Sequence, residues 1–113
     1  MAENLSTFMA GVPELMLLRL LHDREMYGYE IVQAIALKSG QVVTPGEGVV
    51  YPLLHQLEKN GALKSRRKTV NGRSRVYYML TARGKKRLTS LTDRWGMLNG
   101  AVEALLGSGV HAL

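Results

Sequence analysis

Asn71-Gly72 sits between two runs that alternate like strands, and this pair constrains the fold more than any other feature of the chain. Both residues tolerate the positive φ that the type I′ turn of a two-residue hairpin demands. Downstream, Val76, Tyr78 and Leu80 alternate with Arg75, Tyr77 and Met79, which is the period of a strand. Upstream, "ALKSRRKTV" supplies the partner strand, residues 62–70.

Everything else reads as helix. Asn4 or Ser6 caps a short N-terminal helix with Leu5, Phe8 and Met9 on one face, too short to be stable alone. "VPELMLLRLLHD" (12–23) predicts a first full helix, with Pro13 in its first turn and Glu14 at its positive end. Residues 24–40 predict a second helix, weakened at its start by Gly28 and stopped by Gly40. Ile31, Ala34, Ile35 and Lys38 share one of its faces. A third helix starts near Glu47 or Gly48 and ends at Gly61. In it Val50, Leu53, Leu54 and Leu57 recur at i, i+3, i+4 and i+7. Thr44, Pro45 and Glu47 resemble a capping box before it, and Pro52 should distort its opening turn. Thr81 caps the last helix. Leu88, Leu91, Trp95, Leu98, Val102 and Leu105 then form a heptad seam, and "GSGVHAL" reads as a frayed tail.

Composition closes off several function classes. The 113 residues make one domain's worth, small enough that dimerisation would help stabilise it. Cysteine is absent, so disulfides and Cys-type zinc or redox sites are excluded. His22, His55 and His111 lack metal-ligand spacing, and no metal or cofactor is expected. No run of about 18 apolar residues suggests a membrane span. "LMLLRLL" has no basic leader or small-residue cleavage site, so a cytoplasmic location is expected. No catalytic Ser, His and Asp arrangement and no Gly-rich phosphate loop occurs, so the chain is not expected to be an enzyme.

Charge is unevenly spread. Residues 1–63 hold four basic and seven acidic side chains, a net of −3; residues 64–113 hold eleven basic and two acidic, a net of +9. Ten basic residues and no acidic one lie between Lys64 and Arg87. Such a patch favours a polyanion, nucleic acid before an anionic membrane, with a plain solvated surface as the bland alternative.

The element order is helix, helix, helix, strand, strand, long helix. Two helices joined by a turn make a helix-turn-helix, and a hairpin directly after the third helix is the layout of a winged helix. The expected fold class is therefore mostly α with a small β-hairpin: a winged helix-turn-helix over residues 1–80, plus a C-terminal dimerisation helix and tail over 81–113. In such folds the third helix enters the DNA major groove, which is wide enough to admit it.

Three stretches carry a family resemblance over roughly residues 12–98: "YGYEI" (27–31), "EGVVYPLLHQLEKNG" (47–61) and "GRSRVYYMLTARG" (72–84). Together they resemble the PadR family of bacterial transcriptional regulators, in its short form with one C-terminal helix. The resemblance implies a homodimeric regulator that binds a palindromic operator in double-stranded DNA. It also implies repression relieved by a small planar aromatic or drug-like effector. One departure stands out: Gly46 and Val49 occupy positions where the family pattern has hydroxyl residues that are candidates for phosphate contacts. Backbone N–H groups at the helix start can still bind a phosphate, and Val49 could touch a thymine methyl instead. The alternative function is a winged-helix adaptor whose basic strip binds an acidic protein.

Individual residues follow from that layout. On the third helix, Tyr51 either reaches a phosphate, as the resemblance implies, or packs under the wing. His55 and Gln56 face away from Leu53 and Leu57, toward a base edge or toward solvent, and Lys59 serves the DNA backbone or the solvated helix end. Lys68, Arg73 and Arg75 crowd the hairpin, where long cations suit phosphates or a narrow minor groove. Arg66 and Arg67 point to opposite faces, so one of them is the contact, and at least one of Tyr77 and Tyr78 must be core. Leu88, Leu91, Trp95, Leu98 and Val102 form the candidate dimer seam, with Leu5, Phe8 and Met9 covering the partner's last helix. Trp95 is either an interface anchor or the flat wall of an effector pocket across the dimer axis.

Overall fold

The computed structural model describes residues 11–107. Four helices and three strands follow one another as α1 (Val12–Asp23), β1 (Met26–Tyr27), α2 (Gly28–Lys38), α3 (Glu47–Lys59), β2 (Leu63–Val70), β3 (Arg73–Leu80) and α4 (Ala82–Leu106). The arrangement is a winged helix-turn-helix with a long C-terminal helix. The expected N-terminal helix with Leu5, Phe8 and Met9, and the tail beyond Gly107, lie outside the described residues.

Helical periodicity sets the core. Leu17 and Leu18 of α1, Ile31 of α2, and Val50, Leu54 and Leu57 of α3 are all fully buried. Each removes enough apolar surface from water to contribute about 1.5–3 kcal/mol. Leu53 is only half-buried, at the edge of that face. Leu88 joins the core from α4, and Leu91 packs against it.

The hairpin closes as its sequence demands. Asn71 has φ 53° and Gly72 φ 77°, the two left-handed residues of a type I′ turn. The register runs from Val70↔Arg73 to Leu63↔Leu80. The sheet has three strands rather than two, in the order β1-β3-β2. Met26 and Tyr27 pair antiparallel with Tyr78 and Tyr77. The second helix therefore begins at Gly28 and not at residue 24. Met26 buries its side chain while the backbone on either side of it joins β3, which lies some fifty residues later.

One further expectation changes and another holds. The Thr44–Glu47 capping box does not form: Gly46 is the N-cap of α3 and no side chain caps it. Both wing tyrosines are buried, in line with the expectation that at least one would be core. Tyr78 faces the core, where burial, then Glu58 and Tyr51, push its phenol pKa above the ordinary value. Tyr77 lies on the opposite face, under Tyr27, whose ring meets it edge-on at 5.5 Å.

Two glycines permit close approaches. A Cβ on Gly28 would stand 2.5 Å from the Tyr51 ring, so α3 presses its tyrosine onto the first turn of α2. A Cβ on Gly84 would stand 2.1 Å from the Ala62 carbonyl oxygen. That second contact belongs to a joint at the root of α4. Thr81 Oγ1 donates to the Gly61 carbonyl at 2.6 Å and accepts from Gly84 N at 3.1 Å, and Thr81 N donates to the Ala62 carbonyl at 3.1 Å. The joint fixes where α4 leaves the sheet.

Candidate nucleic-acid interface

The outer side of α3 follows from its inner side. Val50, Leu54 and Leu57 hold the helix down, so Pro52, His55, Gln56 and Lys59 are left exposed at helical spacing. Val49 is also exposed, one turn before its end of that face. Tyr51 is half-buried over Gly28, with its ring 6.5 Å from the His55 ring and tilted 55° to it. Glu47 stands in the first turn, where a carboxylate matches the positive end of the helix.

Strand alternation sorts the wing cations by face. Arg66 pairs with Tyr77, Lys68 with Arg75 and Val70 with Arg73. Arg66, Lys68, Arg73 and Arg75 therefore share one face of the sheet. Arg67 projects from the other, where its guanidinium donates to Ser74 Oγ at 3.2 Å. All four wing residues proposed from sequence as DNA contacts are thus brought together, and Arg67 is separated from them.

Like charges directly opposite on neighbouring strands destabilise a hairpin. Lys68 and Arg75 are such a pair, and the fold relieves both. Glu25, in the link between α1 and β1, accepts from Arg66 Nε at 3.3 Å and Nη2 at 3.2 Å, and also from Lys68 Nζ. Lys68 additionally stands 4.5 Å from the centre of the Tyr77 ring. Arg75 lies 4.3 Å over the Tyr27 ring. Hydrogen bonds from Lys68, then Arg66, hold the Glu25 carboxyl below its ordinary pKa. Arg73, beside the turn, is exposed, with no carboxylate partner among the described residues.

Glu25 and Tyr27 escaped the reading of the sequence. They lie more than forty residues from the cations they hold, in a stretch that reads locally as helix. The sequence signal nearest to them is "YGYEI" (27–31), which begins after Glu25 and does not say that its first tyrosine is extended.

The seam of α4 leaves the protein surface as the helix extends. Leu88 is buried and Leu91 half-buried, but Trp95, Leu98 and Val102 are 48%, 59% and 46% exposed. Beside α4, a mostly apolar groove of about 320 Å³ is lined by Leu15, Met16, Leu20, Ala34 and Ile35, together with Arg19, Lys38, Ser39 and Thr92. No described helix is long and apolar enough to cross a membrane, and no group of three metal-ligating side chains occurs among the described residues.

A helix-turn-helix followed by a basic, tightly built wing defines a winged-helix protein of the transcription-regulator class. The comparisons agree. The chain matches the family described as "Transcriptional regulator PadR-like family" over residues 17–90. It is 38% identical over 93 residues to transcriptional regulator Rv3488 of Mycobacterium tuberculosis, covering 80% of this chain and 82% of that protein. A transcriptional regulator from Clostridium thermocellum superposes with a TM-score of 0.82 at 27% identity, covering 90% of this chain and 97% of the other. A PadR-like transcriptional regulator from Bacillus cereus superposes with a TM-score of 0.79 at 31% identity, covering 91% and 99%. The chain belongs to the PadR-like family of transcriptional regulators.

Proposed function

We propose that this chain is a homodimeric, sequence-specific DNA-binding repressor, whose operator grip is loosened by a small planar aromatic ligand. The observation that carries DNA binding is the gathering of Arg66, Lys68, Arg73 and Arg75 on one face of the wing. The exposed side of α3 supplies readout: Val49 for a thymine methyl, His55 and Gln56 for base edges, Tyr51 and Lys59 for phosphates. Residues 1–80 do the binding and 81–113 the pairing. Dimerisation follows from Trp95, Leu98 and Val102, whose apolar surface continues the heptad seam and is exposed among the described residues. The same tryptophan gives an aromatic effector a flat surface at the dimer axis.

Two recognition helices about one helical turn (~34 Å) apart would read a palindrome. Genomic fragments retained by the purified protein identify the operator, and a band-shift with competitor DNA measures its affinity. Affinity should fall steeply between low and physiological salt, because each neutralised phosphate releases counterions. A flat salt response would refute the role given to the wing. For the effector, a panel of planar aromatics should quench Trp95 emission saturably in the dimer. Equal quenching in a monomeric Leu98→Glu variant would remove the interface pocket from the proposal.

A further inference from the structure

A second basic surface lies away from the wing. The last turn of α3 and the first three turns of α4 enclose a cleft of about 640 Å³ lined by Lys59, Asn60, Arg83, Lys86, Arg87 and Arg94, among others. Arg87 has a carboxylate partner, Glu14 of α1. Among the described residues, Lys59, Arg83, Lys86 and Arg94 have none within ion-pair distance.

This placement costs stability. Arg83, Lys86 and Arg87 stand at i, i+3 and i+4, where like charges repel on one helix face. The first turn of α4 contains no acidic residue to offset them. From Arg83 to Arg94 the strip is about 16 Å long at helical rise, long enough to reach more than one phosphate of a DNA strand. It is also continuous with the α3 face. Lys59 is three and four residues beyond Gln56 and His55, and it lines the cleft. Arg83 continues the path, with its Cδ 3.5 Å from where a Cβ on Gly61 would stand.

We propose that the cleft grips the phosphate backbone of DNA outside the half-site read by α3 and the wing, lengthening the footprint of each protomer. This rests on the DNA-binding reading above. It assigns contacts to Arg83, Lys86 and Arg94, which neither the helix-turn-helix nor the wing would supply.

The test compares the full-length wild type with Arg83→Gln/Lys86→Gln/Arg94→Gln. Lys59 stays intact because it belongs to the α3 face. Thermal unfolding first confirms that the triple variant folds, and Arg83→Lys/Arg94→Lys provides a charge-keeping control. Each protein is titrated with the shortest operator duplex that wild type shifts, and with the same duplex extended by ten base pairs at both ends. Wild type and the control should gain about 10-fold in affinity from the extension at low salt. The triple variant should gain nothing, and its salt slope on the long duplex should be shallower by about 2. An equal gain in the triple variant overturns the proposal, as does a wild type that binds the short duplex but ignores the extension. If wild type holds no duplex of any length, the DNA-binding reading itself falls, and the cleft with it. An inorganic phosphate arm separates a small-anion site. Saturable phosphate binding lost in the triple variant, with the extension gain intact, overturns the backbone assignment.

Discussion

On the wing, Arg66 and Lys68 share Glu25 and Arg75 lies on the Tyr27 ring. Along the first turns of α4, Arg83, Lys86 and Arg94 face no carboxylate among the described residues. The two regions carry similar charge in different physical states. Arg66, Lys68 and Arg75 have partners on the wing, unlike Arg73 at the turn, so they have less side-chain freedom to lose to a bound phosphate. Against that, any phosphate must compete with Glu25. In the cleft Arg87 alone has a carboxylate, Glu14, while Arg83, Lys86 and Arg94 face none among the described residues, which suits attraction over several ångströms more than placement. Ordered cations suit register on the duplex, and loose ones suit affinity and rate.

The contrast can be broken most forcefully at the wing tip. Arg73→Glu with Arg75→Glu turns two charge-assisted contacts into repulsions. At about 2 kcal/mol each, operator affinity should fall about 1,000-fold at low salt, read by fluorescence anisotropy. Charge reversal at Arg83, Lys86 and Arg94 should cost less on the short duplex. Were it to cost more, the placing role would belong to the cleft.

Next in size is the joint that sets the two regions apart. Gly84→Ala drives a methyl group into the Ala62 carbonyl, which cannot move without disturbing β2. A loss of about 1–3 kcal/mol is expected from the shift in urea midpoint at unchanged slope. Unaltered stability would mean that α4 is not held rigidly against the sheet.

Glu25→Gln asks whether the wing carboxylate is chiefly a competitor. Removing its charge should tighten operator binding about 3- to 10-fold and steepen the salt dependence, since Arg66 and Lys68 become available together. Weaker binding would show instead that Glu25 positions the wing. The pH dependence has a definite sign. The carboxyl pKa is lowered by folding, so these ion pairs stabilise the protein above the ordinary value of 4.5 and are lost as pH falls through the depressed one. Wild-type stability should therefore drop more than that of Glu25→Gln below pH 4.5, and the two should run parallel from pH 5 to 7.

The smallest effect is expected at Glu14, which bears on the cleft as Glu25 does on the wing, though through Arg87 alone. This half-exposed pair is worth about 1 kcal/mol or less. Glu14→Gln should barely change thermal stability, and should strengthen binding of the extended duplex less than Glu25→Gln strengthens binding of the short one.

Much of the fold was legible because it depends on neighbours in sequence. The Val50, Leu54 and Leu57 spacing placed α3, Thr81 marked the start of α4, and Asn71-Gly72 named its own turn. The alternation of β2 and β3 also put Arg66 and Arg67 on opposite faces. The misreadings share a cause. Met26 and Tyr27 look helical until β3 offers them hydrogen bonds. Thr44 and Glu47 have capping-box spacing, but the chain reaches α3 through Gly46 with neither side chain turned to the cap.

The amino-acid sequence by itself determined the winged-helix order, the buried face of each helix, the turn of the wing and the positive charge of the C-terminal half. These are local properties: periodicities of 3.6 and 2, backbone angles tolerated by Asn and Gly, and summed charge. Only the tertiary structure decided which charges are held and which are free. Glu25 meets Arg66 and Lys68, and Lys59 meets the strip from Arg83 to Arg94, because β1 pairs with β3 and because the Thr81 and Gly84 joint sets α4 against the end of α3. Coulombic and aromatic contacts act over a few ångströms, so their partners exist only once packing has brought distant residues together.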